Sequence, residues 1–248
     1  MVVMRALITS EVLKLRTVRS AWLLLLAAQA VVVLGVIGAV VSATDLQSTS
    51  TLTKAAAHVG LVSMVSLVLR VLALAGEYRH RTIADTYLTT PEREPVLRAK
   101  LVVYAVLGLV VGITASLTAV ITMVIAWRIK GVSLPLSSPD LWQTLGGDVI
   151  WNVTFAVIGV GLGAIVRNLT AAVAAALLWI ALVEGLVGQL LGGLSRWLPV
   201  ASGAALGRVS GIGSAAPLPA WAAGLVLAAY AGALALAAVP ASVRCDVS

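Results

Sequence analysis

The sequence predicts an all-α, polytopic membrane protein with six transmembrane helices. Of its 248 residues, 60% are hydrophobic and only 11% are charged. Charged residues make up about a quarter of a typical soluble domain. The mean hydropathy is +1.06, and the charges fall in short clusters between apolar runs, as in inner-membrane proteins. These features exclude a soluble domain, a disordered chain and a nucleic-acid-binding domain, which would need a continuous basic face.

Six apolar runs have the length that a membrane-spanning helix needs, about 20 residues. The second run contains His58 and Arg70, the fifth contains Glu184, and the fourth is shorter and rich in glycine. Only Arg167 and Asn168 separate the fourth run from the fifth, which predicts a tight helical hairpin. The predicted transmembrane domain, residues 21–248, has its spans at residues 21–41, 55–76, 101–127, 149–166, 169–191 and 220–240.

The distribution of basic residues predicts the orientation of these spans. Most lysines and arginines outside the spans fall on the side that carries the N-terminus, and such residues accumulate in the cytoplasm. We therefore expect both termini to be cytoplasmic, in a bacterial inner membrane. The first apolar run is longer than the roughly 7–15 residues of a secretory signal, so we expect an uncleaved anchor.

Residues 1–20 are predicted to form a basic amphipathic helix that lies in the headgroup plane. Its apolar residues recur at helical spacing, at Met4, Ile8, Val12, Leu15 and Val18. One interpretation is a collar that touches a cytoplasmic partner. The other is a topology signal alone.

The segment 77–100 is predicted to be the main polar connection in the cytoplasm. Thr82 can cap a short helix that Pro91 ends. One face of this helix would carry three apolar or aromatic side chains: Ile83, Tyr87 and Leu88. Such a face fits a groove in another protein, and the alternative is an ordinary charged loop.

Three stretches resemble the six-helix permease subunits of type-2 ATP-binding-cassette (ABC) exporters. SEVLKLRTVRSAWLLLL is similar to that family's basic entry helix, and GEYRHRTIADTYLTTPEREPVLRAKLV is similar to its first cytoplasmic loop, where a coupling helix lies. GVGLGAIVRNLTAAVAAALLWIALVEGLV resembles its fourth and fifth spans. The three matches occur in the family's order, and together with the matching order of the spans the resemblance covers most of the chain.

The resemblance implies a complex of two permease subunits, identical or related, with two ATPase subunits. ATP hydrolysis there would move a hydrophobic or amphipathic cargo (a drug, lipid or peptide) outward. Residues 192–219 would form the extracellular region with its re-entrant part. The ATPase contact would fall on Glu77, Tyr78, Arg79, Thr82, Ile83, Tyr87 and Leu88.

The chain itself is not expected to be an enzyme. A phosphate-binding loop needs a lysine followed by Ser or Thr, and the four lysines precede Leu15, Ala55, Leu101 and Gly131. We expect no cofactor and no metal in this chain, because ATP and Mg²⁺ would bind to the partner subunit.

Three ionisable residues within the spans are candidate functional residues, because charge is costly in hydrocarbon. Glu184 could line a dimer seam or cargo path, or make a structural hydrogen bond between helices. Arg70 could extend to the headgroups or face a cavity. His58 is predicted at a depth similar to that of Glu184, so a contact between the two is possible.

The fourth span contains three closely spaced glycines. The glycines of the fourth span, Gly159, Gly161 and Gly163, favour close helix packing over dinucleotide binding, since no strand precedes them. For the whole chain, the alternatives to a permease are an ion-coupled secondary transporter and a membrane assembly protein without transport.

Overall fold

The structure, a computed structural model, describes residues 2–17, 19–79, 92–190, 192–209 and 216–244. Every regular element in these ranges is helical. Six stretches are long and apolar enough to cross a membrane: Trp22–Val41, Thr49–Arg79, Arg93–Ile129, Pro139–Val166, Leu169–Leu186 and Ala220–Ala241. The chain is therefore an all-helical, multi-pass membrane protein, as predicted.

Ten α-helices follow one another along the described residues. They are α1 (Val2–Thr17), α2 (Arg19–Val41), α3 (Thr49–Ala56), α4 (His58–Arg79), α5 (Arg93–Ile129), α6 (Pro139–Val166), α7 (Leu169–Leu178), α8 (Glu184–Leu190), α9 (Pro199–Leu206) and α10 (Ala220–Arg244). A π-helical turn, Trp179–Val183, joins α7 to α8, and a 3₁₀ turn, Gly192–Trp197, precedes α9.

Helices α4 and α6 form the centre of the bundle. Within an 18-residue apolar window of each span, 56% of the residues are buried inside the chain in the second and fourth spans, against 11% in the fifth. Glycine allows this close approach, because a Cβ at Gly159 would lie 2.6 Å from the carbonyl oxygen of Leu67 on α4, and one at Gly161 would lie 2.9 Å from Leu234 on α10. The packing role predicted for these glycines is confirmed.

Two helices begin earlier than the predicted spans. Helix α5 starts at Arg93 and has 37 residues, about 55 Å at 1.5 Å per residue, so it extends well beyond a hydrocarbon core about 30 Å thick. Helix α6 starts at Pro139 rather than Val149. Proline suits the first helical turn, where an N–H has no partner in the helix, and the earlier start places Asp148 inside α6.

The turn between the fourth and fifth spans is built by Arg167 and Asn168. Arg167 has a left-handed backbone (φ 53°), and its N–H donates to the carbonyl of Gly163 at 3.1 Å. The Asn168 side chain then caps α7 by accepting from the N–H of Ala171 at 3.0 Å. These two residues close one helix and open the next, so the connection needs no longer loop.

Helix α1 packs on the bundle with part of the predicted apolar face, since Met4 and Ile8 pack against a cluster that includes Leu7. Leu7 and Glu11 are buried, and Leu7 packs with Val96 and Ala99 of α5. Val12, which the sequence places on the apolar face, is 37% exposed. The same orientation of α1 brings the Glu11 carboxylate to Lys100 of α5.

Candidate functional site

Four charged side chains meet at the end of the bundle that carries α1. We call Glu11, Lys14, Glu77 and Lys100 the ion cluster. Lys100 Nζ lies 2.8 Å from Glu11 Oε1 and 2.8 Å from Glu77 Oε1. Lys14 Nζ lies 2.9 Å and 3.3 Å from the same two oxygens. Two lysines and two carboxylates therefore neutralise one another in a single network.

The ion cluster is largely withdrawn from water. The side chains of Lys100 and Glu11 are only 1% and 3% exposed, whereas that of Lys14 is 42% exposed. Burial alone would raise the pKa of Glu11, but Lys100 and Lys14 outweigh it and hold that pKa below its ordinary value. Burial likewise opposes the charge of Lys14, yet Glu77 and Glu11 raise its pKa. Each charge thus depends on its partners.

The ion cluster ties together three helices. Glu11 and Lys14 belong to α1, Glu77 to the end of α4, and Lys100 to the beginning of α5. The last described residue of α4 is Arg79 and the first of α5 is Arg93. The cluster therefore joins α1 to both stems of the segment 80–91.

The residues predicted to contact an ATPase divide into two groups. Glu77 lies in the ion cluster, Tyr78 has the Arg167 guanidinium over its ring at 5.8 Å, and Arg79 is exposed. The other predicted contacts, Thr82, Ile83, Tyr87 and Leu88, lie outside the described residues. The contact itself stays a prediction.

Arg70 lies inside the bundle rather than at the headgroups. Arg70 is only 5% exposed, and its guanidinium lies over the ring of Tyr104 on α5, 5.7 Å from the ring centroid. Two of its nitrogens, Nε and Nη2, are buried without a hydrogen-bond partner. Of the two alternatives for Arg70, its burial favours a position inside the bundle over extension to the headgroups, and a cation–π contact replaces hydration.

Glu184 makes a structural connection between the fifth span and α9. The π-helical turn brings Trp179 to it, and Trp179 Nε1 donates to its carboxylate at 3.2 Å. The N–H groups of Val200 and Ala201 donate to the same carboxylate at 2.7 Å and 3.1 Å. Glu184 thus caps the first turn of α9, where a negative charge is favoured, and this supports the structural interpretation of this residue.

The proposed contact between His58 and Glu184 is absent. His58 Nδ1 lies 2.9 Å from the carbonyl oxygen of Lys54. The imidazole ring packs on Gly35 of α2, where a Cβ would lie 2.2 Å from the ring. Each side chain contacts other groups instead. Two residues predicted at a similar depth in the membrane are therefore not neighbours here.

Asp148 is a buried polar residue that the predicted spans leave out, because the fourth span was expected to begin at the next residue. Asp148 has no exposed surface, and neither carboxylate oxygen has a hydrogen-bond partner. One turn further along α6, Asn152 Oδ1 accepts from Ser66 of α4 at 3.2 Å. The sequence SPD at 138–140, a helix-start pattern, was the signal that could have placed Asp148 within the helix.

Close backbone contacts surround this buried acid. A Cβ at Gly60 of α4 would lie 2.5 Å from Asp148 Oδ1, and one at Gly207, just after α9, would lie 2.0 Å from it. The neighbouring Trp151 ring packs on Gly203 of α9, and its Nε1 is also unpartnered. Helices α4, α6 and α9 therefore meet at Asp148 with almost no free volume.

No family model matches this chain, and no curated protein matches it. What the chain does has to be argued from these sites and from the six-span architecture.

Proposed function

We propose that this chain is the permease subunit of an ABC exporter in a bacterial inner membrane, with both termini in the cytoplasm. A second permease subunit, identical or related, completes the membrane pathway. Two ATPase subunits bind beneath it and supply ATP hydrolysis with their own Mg²⁺. The cargo moves outward and is hydrophobic or amphipathic: a drug, a lipid or a peptide.

The ion cluster is the observation that carries this proposal. A subunit driven by an external ATPase needs a cytoplasmic contact that moves several helices together. The segment 80–91 fits that role, because Glu77 at the end of α4 and Lys100 on α5 are joined by an ion pair of 2.8 Å between Oε1 and Nζ, and Glu11 adds α1 to the same network. A push on this segment would reach α1, α4 and α5 as one unit.

The exposed fifth span supports the presence of a second permease subunit. Only 11% of this span is buried within the chain. Its exposed surface includes Leu177, Leu178, Leu182 and Leu186. A span that makes so few contacts in its own chain suits a seam between two subunits, with lipid covering the remainder.

Hydrolysis coupling tests this proposal. Arg79 and Tyr87 both lie on the predicted ATPase contact, so replacing both with alanine should lower cargo-stimulated ATP hydrolysis by the co-purified complex several-fold. Membrane insertion should be unchanged. The matched control is Arg128→Ala, an exposed arginine at the opposite end of α5. Hydrolysis and transport that match the wild type, or purification without any ATPase, would contradict the proposal.

An ion-coupled secondary transporter is the second candidate. A carboxyl group buried without a partner, such as Asp148, is typical of ion pathways in membrane proteins. Proteoliposomes that hold this chain alone, with a proton gradient and no ATPase, separate the two candidates. Transport under these conditions favours the secondary transporter. Transport that occurs only with an ATPase and ATP favours the exporter. If no transport occurs under either condition, the remaining alternative is a membrane assembly protein.

A further inference from the structure

The carboxyl group of Asp148 is buried in a site that cannot hold a bare negative charge. Both oxygens are enclosed and neither accepts a hydrogen bond. An unpaired carboxylate in a dry interior is strongly disfavoured, because it loses its hydration and gains no partner. Among the described residues, the ionisable side chains on the elements around this end of α6 make no hydrogen bond to it: Lys54, His58, Arg128, Lys130, Asp140 and Arg208.

The side of the site that faces Gly60 and Gly207 is also too tight for a metal ion or a water molecule at Asp148 Oδ1. A Cβ placed on Gly207 or Gly60 would already lie within 2.5 Å of Asp148 Oδ1. No group of three or more His, Cys, Asp or Glu side chains in the described residues could hold a metal. A proton is the cation that needs no additional space.

We propose that Asp148 is a proton-binding site, and that its carboxyl group carries a proton while α9 is packed against α4 and α6. Loss of the proton leaves a carboxylate that must be hydrated. Since water cannot enter while Gly207 touches Asp148, ionisation displaces the end of α9 from α6. The proposal concerns the chain itself and does not depend on an ATPase partner.

The displacement has a route to the fifth span. Helix α9 is attached at its other end to Glu184, which accepts hydrogen bonds from Val200 and Ala201 at 2.7 Å and 3.1 Å. The same carboxylate holds Trp179 in the π-helical turn. Proton release at Asp148 would therefore move α9 relative to Glu184, and so link the protonation state to the most exposed span.

Infrared spectroscopy of the purified full chain tests the proton directly. At neutral pH the wild type should show the carbonyl stretch of a protonated carboxyl group, above the amide I band. Asp148→Asn should lose this band. Asp140→Asn should keep it, because Asp140 lies on the same helix but is exposed and paired with Arg208. A wild-type spectrum without the band, or a band that persists in Asp148→Asn, would overturn the proposal.

Isotope labelling covers the case in which Asp148→Asn does not fold. Wild-type protein with carbon-13 in its aspartate side-chain carboxyl groups should show the protonated band shifted to lower frequency. A band that does not shift belongs to another residue type, which would also overturn the proposal.

A second measurement tests the movement of α9. Ser202 on α9 has no exposed surface, so Ser202→Cys in a Cys245→Ser background reports access to α9. The thiol is labelled at each pH in two proteins, one with Asp148 and one with Asp148→Asn. The ratio of the first labelling rate to the second should rise several-fold as the pH increases. The division removes the ordinary effect of pH on the thiol. A ratio that stays constant would overturn the link between ionisation and α9.

Discussion

Lys100 and Asp148 are both buried on long helices, yet their surroundings are opposite. Lys100 lies 2.8 Å from each of two carboxylates. Asp148 has no hydrogen-bond partner for either oxygen. Burial of a charge is compensated only when partners replace the lost water. The first site can therefore stay charged while it holds α1, α4 and α5, and the second has to be neutral to remain closed.

The packing around the two sites also differs. The ion cluster lies near the beginning of α5, a helix longer than the hydrocarbon is thick, and Lys14 is still 42% exposed there. Asp148 lies between helices brought together by Gly60, Gly203 and Gly207. A site bounded by long side chains can exchange partners, whereas a site bounded by backbone atoms opens only when a helix moves. The following predictions test this comparison.

Removing Lys100 should have the largest effect. Lys100→Met leaves Glu11 and Glu77 facing each other with one partly exposed lysine, and breaking a buried ion pair from one side costs about 3–5 kcal/mol. We expect a large fall in the melting temperature of the purified protein in detergent. Lys130→Met, at the exposed far end of the same helix, is the matched control and should change stability by about 0.5 kcal/mol or less.

The Lys100 prediction has a clear opposite outcome. If Lys100→Met has the same melting temperature as the wild type, the ion cluster contributes little to stability, as is usual for ion pairs at a protein surface. A double variant, Lys100→Met with Glu11→Gln, should recover part of the loss, because it removes one of the two carboxylates that Lys100 neutralises. Strict additivity of the two single changes would count against direct coupling.

The sequence predicted the six spans well because an apolar run of about 20 residues is long enough to cross the hydrocarbon and is rare in soluble folds. It did not predict the start of α6, because the polar residues Thr144 and Asp148 lower the hydropathy of a helix that is buried by its neighbours. Nor could it pair Glu11 with Lys100. They lie 89 residues apart, and each matches the pattern of a charge at a membrane surface. Such contacts depend on helix rotation, which composition does not determine.

Adding a methyl group against Trp151 should have an intermediate effect on stability. In Gly203→Ala the new Cβ would lie 2.1 Å from the buried indole ring, and overpacking of this kind costs about 1–3 kcal/mol. We expect faster hydrogen exchange of the α9 amides together with a lower melting temperature. Gly224→Ala is the control, since nothing lies within 4 Å of its Cβ. Equal behaviour of the two variants would mean that α9 does not pack tightly on α6.

The pH dependence of the ion cluster should be the smallest effect. The pKa of Glu11 lies below its ordinary value of 4.5 in the folded chain, so its contribution to stability is complete above that value and disappears as the pH falls through the folded pKa. The difference in melting temperature between the wild type and Glu11→Gln should narrow as the pH falls below about 4.5. The same difference for Glu94→Gln, whose exposed carboxylate pairs with Arg98, should stay near zero. A Glu11 difference that does not change with pH would mean that its charge contributes nothing and that α1 is held by Leu7 and its apolar neighbours alone.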